Sequence, residues 1–76
     1  MKATDPVHTI EGRHIGESAK AVKFRVEIVA GEVLGEPRNE WFPFSQMLKS
    51  SKAAPNSTEL DTLVVSEWIL NEKGLL

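Results

Sequence analysis

The segment Ala21–Val29, AVKFRVEIV, alternates apolar and charged residues along its length. The alternation puts four apolar residues on one side and three charged residues on the other: Val22, Phe24, Val26 and Ile28 against Lys23, Arg25 and Glu27. A period of two is typical of a strand with one face in a core and the other in water. The segment therefore predicts a half-buried β-strand.

The preceding segment, residues 7–18, is rich in β-branched residues but alternates less regularly. Gly12 lies in its middle, where a glycine in a strand often marks a bulge or bend. The connection over residues 17–20 is short and polar, although it has no Asn-Gly pair. These features predict an antiparallel hairpin with Ala21–Val29.

Glycines and a proline break up the chain after Val29. Residues 36–39, Glu-Pro-Arg-Asn, place Pro37 at the second position of a predicted type I turn. A third strand is predicted over residues 40–42, and Pro43 ends it. Ser45 is then predicted to cap one helical turn that runs through Leu48.

Residues 49–58, KSSKAAPNST, are small and polar, and we predict a mobile surface loop there. The β-branched residues within 62–65 predict a short strand there. Ser66 is a favourable N-cap for a closing helix, and Gly74 stands where a helix C′ glycine belongs. Val65 and Leu70 occupy the two positions of a hydrophobic staple around that cap.

The chain has 76 residues, a mass of 8.4 kDa and no cysteine. We therefore predict a single domain over residues 1–76, held together without disulfides or thiolate metal sites. The predicted fold is a small β-rich α+β domain. Its strands form a bent antiparallel sheet or an open barrel of the SH3-like or OB-like kind, with a short C-terminal helix.

Three of the five aromatic residues lie in the segment WFPF, residues 41–44. We predict that Phe42 and Phe44 pack in the core against Phe24, Val26 and the closing helix. Trp68 of that helix is also predicted to be buried in the core. Trp41 is expected to be partly buried at an edge of the core. The alternative for Trp41 is a ring presented for stacking on a base or a peptide.

No pattern in the sequence indicates catalysis. His8 and His14 have no cysteine or carboxylate cluster beside them, so neither a metal site nor a bound cofactor is expected. Glu59 and Asp61 are interpreted as a solvated acidic pair at the edge of a loop. There is no glycine-rich phosphate loop. We therefore predict that the protein is not an enzyme.

The formal net charge of −2 gives no overall attraction to nucleic acid. A local basic strip is nevertheless predicted, in which Lys23 and Arg25 share the outer face of one strand and Lys20 lies in the turn before it. This strip and Trp41 form the candidate binding surface for nucleic acid. The alternative is an ordinary solvated strand face.

Three segments, ESAKAVKFRVEI, WFPFSQM and LVVSEWILNEKGLL, occur in an order that resembles a group of small uncharacterised phage and prophage proteins. The resemblance covers about residues 17–76, and its segments are short. Phe42 and Phe44 replace the aliphatic and basic residues expected within the group. The resemblance implies a mobile-element context and carries no established activity with it.

The predicted function is a non-enzymatic binding module, a phage or mobile-element accessory protein that acts on a protein or nucleoprotein partner. One alternative is direct binding of single-stranded nucleic acid by the basic strip. Another is a homo-oligomer that buries Val33, Leu34 and Leu75 between copies. The N-terminus has no apolar run typical of a signal peptide and no segment is long enough to span a bilayer, so a cytoplasmic location is expected.

Overall fold

The computed structural model describes residues 6–76. Five strands form one antiparallel sheet in the order β3-β2-β1-β5-β4. Their bounds are β1, Val7–Glu17; β2, Ala21–Val29; β3, Glu32–Pro43; β4, Met47–Ser51; and β5, Asp61–Ser66. One helix, α1, Glu67–Glu72, follows β5. The sheet is open, with β3 and β4 at its edges, which confirms the predicted small β-rich α+β class.

The predicted hairpin of β1 and β2 is confirmed. The register shifts between Glu11 and Gly12, and the extra residue of this bulge is Glu27 of β2, across from the glycine that was predicted to mark the bulge. The connecting turn is built by Ser18, whose backbone N–H donates to the carbonyl of Ala21 at 2.8 Å and whose hydroxyl oxygen accepts from the Ala21 N–H at 3.1 Å.

The prediction of a turn at residues 36–39 is wrong, because β3 runs through these residues. The chain reverses earlier, at Ala30 and Gly31, whose φ angles of 50° and 84° suit a tight hairpin connection. Pro37 instead lies in an irregular part of β3, where residues 34–37 stand opposite the single residue Glu27. An edge strand tolerates this proline because no ladder hydrogen bond needs its missing N–H.

After Pro43 the chain makes one 3-10 turn, Phe44–Gln46, and enters β4. The predicted helical turn is therefore present but shorter, and Ser45 lies inside it rather than capping it, since no side chain caps this turn. Strand β4 includes residues 49–51 of the segment that was predicted to be a loop. Ser50 and Ser51 pair there with Leu63 and Thr62 of β5.

The closing strand and helix follow the prediction. The Ser66 hydroxyl oxygen accepts from the Ile69 N–H, which is the expected N-cap contact. At the other end Gly74 has a φ of 69°, and the Leu75 N–H donates to the Leu70 carbonyl at 2.8 Å. This is a Schellman ending, in which the buried Leu75 also packs in the core beside Leu70.

The core lies between one face of the sheet and α1. Its buried apolar residues are Ile10, Val22, Phe24, Val26, Val29, Phe42, Leu63, Val65, Ile69, Leu70 and Leu75. Phe42 is therefore in the core, as predicted. The burial of Leu75 and the packing of Leu34 against the core contradict the proposed exposure of these two residues, and only Val33 remains fully exposed.

Two aromatic residues predicted to be in the core are on the surface. Phe44 is 39% exposed because the chain leaves the strand at this residue, so the alternation that buries Phe42 no longer applies. Trp68 is 58% exposed because α1 turns its next two residues, Ile69 and Leu70, toward the sheet. Over the described range, residues 6–76, no helix is long and apolar enough to cross a membrane.

Candidate functional site

The outer face of the sheet, opposite the core and α1, carries the predicted binding residues. Two cross-strand rows follow from the register of β1, β2 and β3. One row is Arg13, Arg25 and Asn39, and the next is Gly16, Lys23 and Trp41. Side chains in paired positions project to the same face, so both rows belong to one surface. We call Arg13, Lys23, Arg25 and Trp41 the outer-face site.

Lys23 and Trp41 are direct neighbours in this site. The Lys23 ammonium lies 5.9 Å from the centre of the Trp41 ring, at the outer limit of a cation–π contact. Trp41 is 43% exposed and lies on the face of the sheet opposite the core, so the predicted burial at an edge of the core is wrong, although part of its ring is covered. On the other side of Lys23, Gly16 has no side chain that could cover the lysine stem. The ring and the ammonium are therefore accessible together.

Arg13 and Arg25 occupy directly opposite positions on β1 and β2. Like charges opposite each other destabilise a sheet unless a counter-charge is present. One guanidinium nitrogen of Arg13 donates a hydrogen bond to the carbonyl oxygen of Glu59 at 2.8 Å. Within residues 6–76, Lys23 and Arg25 have no ion pair and no side-chain hydrogen bond. Three positive charges therefore lie close together without a carboxylate partner in this range.

Arg13 was not predicted as a site residue. The bulge at Glu27 of β2, opposite Gly12, and a second register shift between His14 and Gly16 determine which residues of β1 stand opposite β2. A hairpin assigned from sequence pattern does not give these shifts. The sequence signal for Arg13 was only its positive charge.

Lys20 lies outside the two rows, in the turn between β1 and β2. Its carbonyl oxygen accepts from the N–H of Phe44 at 2.9 Å, which places the turn beside the end of β3. The structure therefore brings Lys23, Arg25 and Trp41 together on β2 and β3. Lys20 lies in the turn just before β2.

Acidic groups lie at the far end of the outer face. Glu11 pairs with Ile28, beyond the Arg13 row, and Glu27 is the extra residue of the β2 irregularity next to it. The outer face thus has a positive half around Trp41 and an acidic half toward the Ala30–Gly31 turn. The positive half is the part suited to an anionic ligand.

The cations on the core side are paired, in contrast to those of the outer face. Arg38 contacts the Glu40 carboxylate at 2.6 Å and also donates to the Lys73 and Gly74 carbonyls at the end of α1. The Lys73 ammonium lies 3.7 Å from Glu40 and 5.5 Å from the centre of the Phe42 ring. These contacts attach the end of α1 to β3 and have a structural role.

Asp61 was interpreted as one of a solvated pair, and this is wrong. It is only 8% exposed, and its carboxylate accepts from the backbone N–H and the Nδ1–H of His14 and from the Ala53 N–H at 2.7 Å. Burial raises the pKa of Asp61, but these hydrogen bonds outweigh burial and lower the pKa to about 2. The carboxylate joins β1, β5 and the loop between β4 and β5, and both of its oxygens accept hydrogen bonds.

The two histidines are both paired with carboxylates. His8 Nε2–H donates to the Glu67 carboxylate at 2.9 Å, and the His14 ring packs edge-on against Phe24 at 5.0 Å. In the part of the chain from residue 6 onward, no three His, Asp or Glu side chains come close enough together to hold a metal ion.

Comparison with known proteins adds no family assignment. No family model matches the chain, and no match was found among curated proteins or among solved structures. The resemblance to phage and prophage proteins therefore stays a prediction from the residue pattern.

Proposed function

We propose that this protein is a non-catalytic binding module whose outer-face site contacts single-stranded nucleic acid, either free or exposed within a nucleoprotein complex. The observation that supports this function best is the placement of Lys23 and Arg25, without carboxylate partners in residues 6–76, beside the open ring of Trp41. No catalytic, metal-binding or cofactor-binding residue is assigned.

The chemistry of the site fits the two constant features of a single strand. Lys23, Arg25 and Arg13 offer positive charge to successive phosphates, which contribute most of the sequence-independent affinity. Trp41 offers a flat ring on which any base can stack. A sheet surface that combines basic residues with an exposed aromatic ring is a recurrent way to hold unpaired bases.

A protein partner is the second candidate. The net charge of −2 opposes binding to nucleic acid outside the positive half of the sheet, and Trp68 presents a large apolar surface on α1. A homo-oligomer has less support, because only one of its three proposed contact residues, Val33, is mostly exposed, at 76%. The mobile-element context and a cytoplasmic location remain part of the proposal and rest on the sequence.

The test is fluorescence anisotropy with a labelled oligothymidylate of about 12 nucleotides, a length within the range bound by one small domain. Three phosphate contacts predict a slope of log K against log salt near −2. Charge reversal in Lys23→Glu/Arg25→Glu should abolish binding. Both side chains lie on the outer face, away from the core, so the melting temperature of this variant should stay close to that of the wild type.

The matched control is Lys49→Glu/Lys52→Glu, which changes the net charge equally at the opposite edge of the sheet. We expect this control to retain most of the affinity. Equal loss in both double variants would show that net charge rather than the outer-face site governs binding. If the wild-type protein does not bind at low salt, direct nucleic-acid binding is wrong and the protein-partner function remains.

A contact with Trp41 can be measured separately. In a Trp68→Phe background Trp41 is the only tryptophan of the chain. Stacking of a base on its ring should quench its fluorescence when oligonucleotide is added. Binding detected by anisotropy without a change in Trp41 emission would exclude the stacking contact.

A further inference from the structure

A shallow hollow lies at the end of β2 and β3, next to the outer-face site. It has a volume of about 350 Å³ and is lined by Ala19, Lys20, Pro43, Phe44 and Ser45. Pro43 pairs with Ala21 as Trp41 pairs with Lys23. Since residues two apart on a strand project to the same face, the hollow continues the outer face directly beyond Trp41.

The backbone at Phe44 is held beside the turn between β1 and β2. The Phe44 N–H donates to the Lys20 carbonyl, and Pro43 directs the chain into the 3-10 turn, with a φ of −65°. These contacts hold a partly exposed aromatic ring beside a lysine from the neighbouring turn. Phe44 and Lys20 therefore both line the hollow. Within residues 6–76, cation–π contacts join Lys23 to Trp41 and Lys73 to Phe42, but not Lys20 to Phe44.

The charge around the hollow is also positive. Lys20 is the only ionisable residue that lines it. Glu17 is near in the chain but pairs with Val22, whose side chain belongs to the buried face, so the Glu17 side chain lies on the other side of the sheet. An extended anionic ligand that continues from Trp41 toward the hollow therefore meets the Lys20 cation and no carboxylate on the outer face.

We infer that the hollow is a second nucleotide subsite, in which Phe44 stacks a base and Lys20 contacts its phosphate. This inference rests on the proposed function, because it extends the same bound strand by a further nucleotide. The bound nucleic acid runs from Arg13 and Arg25, past Lys23 and Trp41, to the end of β3. Phe44 is thereby given a role that its predicted place in the core excluded, and Lys20 keeps the role in binding that the sequence predicts.

The experiment measures binding of the same labelled oligothymidylate to Phe44→Ala, Trp41→Ala and a control, Leu48→Ala. Leu48 is also a large exposed apolar residue, but it lies on β4 at the opposite edge of the sheet. Loss of one stacked base should raise the Kd at least about fivefold in Phe44→Ala and in Trp41→Ala. Leu48→Ala should bind like the wild type. With Lys20 as a fourth phosphate contact the wild-type salt slope should be about −2.8, and Lys20→Gln should make it shallower by about 0.7.

The outcomes separate the two proposals. Weakened binding by Trp41→Ala, together with unchanged binding by Phe44→Ala, overturns the second subsite and leaves the proposed function intact. Absence of binding by the wild-type protein at low salt overturns both. A circular dichroism melt of each variant shows whether a loss of affinity reflects a loss of fold, and a Phe44→Leu variant that folds normally but binds as weakly as Phe44→Ala supports stacking over simple apolar contact.

Discussion

Asp61 accepts hydrogen bonds from both the backbone N–H and the ring Nδ1–H of His14, at 2.9 and 3.0 Å, although 47 residues separate the two in the chain. A carboxylate can only accept in this arrangement, so the Nδ1 of His14 carries a proton. The pair joins the middle of β1 to the start of β5. The Asp61 carboxylate accepts more hydrogen bonds than any other carboxylate among the described residues.

We expect Asp61 to make the stability of the protein depend on pH under acidic conditions. Its pKa in the folded protein is about 2, below the ordinary value of 3.8, so the unfolded chain binds a proton first as the pH falls. The stabilisation is complete above pH 4 and is lost as the pH decreases through about 2. Its size is about 2 kcal/mol, from the difference between the two pKa values.

The measurement is the free energy of urea unfolding between pH 2 and 5 in the wild type and in Asp61→Asn. The variant should lose this part of the acid dependence and be less stable at pH 5. Glu59→Gln is the matched control, since Glu59 is exposed and its side chain accepts no hydrogen bond in residues 6–76. An unchanged pH profile in Asp61→Asn would contradict this role.

The first part of the loop after β4 should depend on the hydrogen bond from Ala53 to Asp61, since Arg13 attaches the loop at its other end, at the Glu59 carbonyl. The Ala53 N–H donates to Asp61, whereas residues 54–58 contact mainly one another. Ala53→Pro removes this donor to a buried carboxylate and should cost about 1.5–3 kcal/mol. Replacing residues 54–58 with glycine and serine, while keeping Ser57, should change the melting temperature little. A neutral Ala53→Pro variant would mean that the loop is not attached through this contact.

The sequence identified the elements whose signals are local. The strict alternation of Ala21–Val29 predicted β2 with its observed bounds, and Ser66 and Gly74 predicted both ends of α1. The same local reasoning placed Lys23 and Arg25 on the outer face. Each of these depends on residues within about one strand or helix turn of each other.

The features that the sequence did not predict depend on distant partners or on where an element ends. Asp61 has polar neighbours in the chain, and its burial results from His14 and Ala53. Phe44 continues the alternation of β3 in the sequence, but the strand ends one residue earlier, at Pro43. Whether Trp41 faces a covered or an open surface depends on which side of the sheet α1 packs, and strand periodicity does not give this side.

Trp68 and Leu70 provide a paired test of the core. Trp68 is mostly exposed on α1, so Trp68→Ala should change the free energy of unfolding by about 1 kcal/mol or less. Leu70 is fully buried and also takes part in the Schellman ending, so Leu70→Ala should cost about 2–5 kcal/mol. Thermal melts of both variants check the order. A larger effect at Trp68 than at Leu70 would show that α1 packs with its other side toward the sheet.

At Gly12 the backbones of β1 and β2 approach closely. A Cβ atom at this position would lie 1.8 Å from the Arg25 carbonyl oxygen, which is backbone and cannot rotate away. Gly12→Ala must therefore displace one of the two central strands, and we expect a loss of about 2–4 kcal/mol. Gly35→Ala is the matched control, because a Cβ atom there meets nothing within 4 Å and the residue does not have a positive φ. This control should be neutral or stabilising by up to about 1 kcal/mol, since alanine restricts the unfolded chain. Equal stability of the two variants would mean that β1 and β2 do not approach as closely at Gly12 as the bulge requires. Because Arg25 also belongs to the outer-face site, a folded Gly12→Ala variant should bind oligonucleotide more weakly than Gly35→Ala.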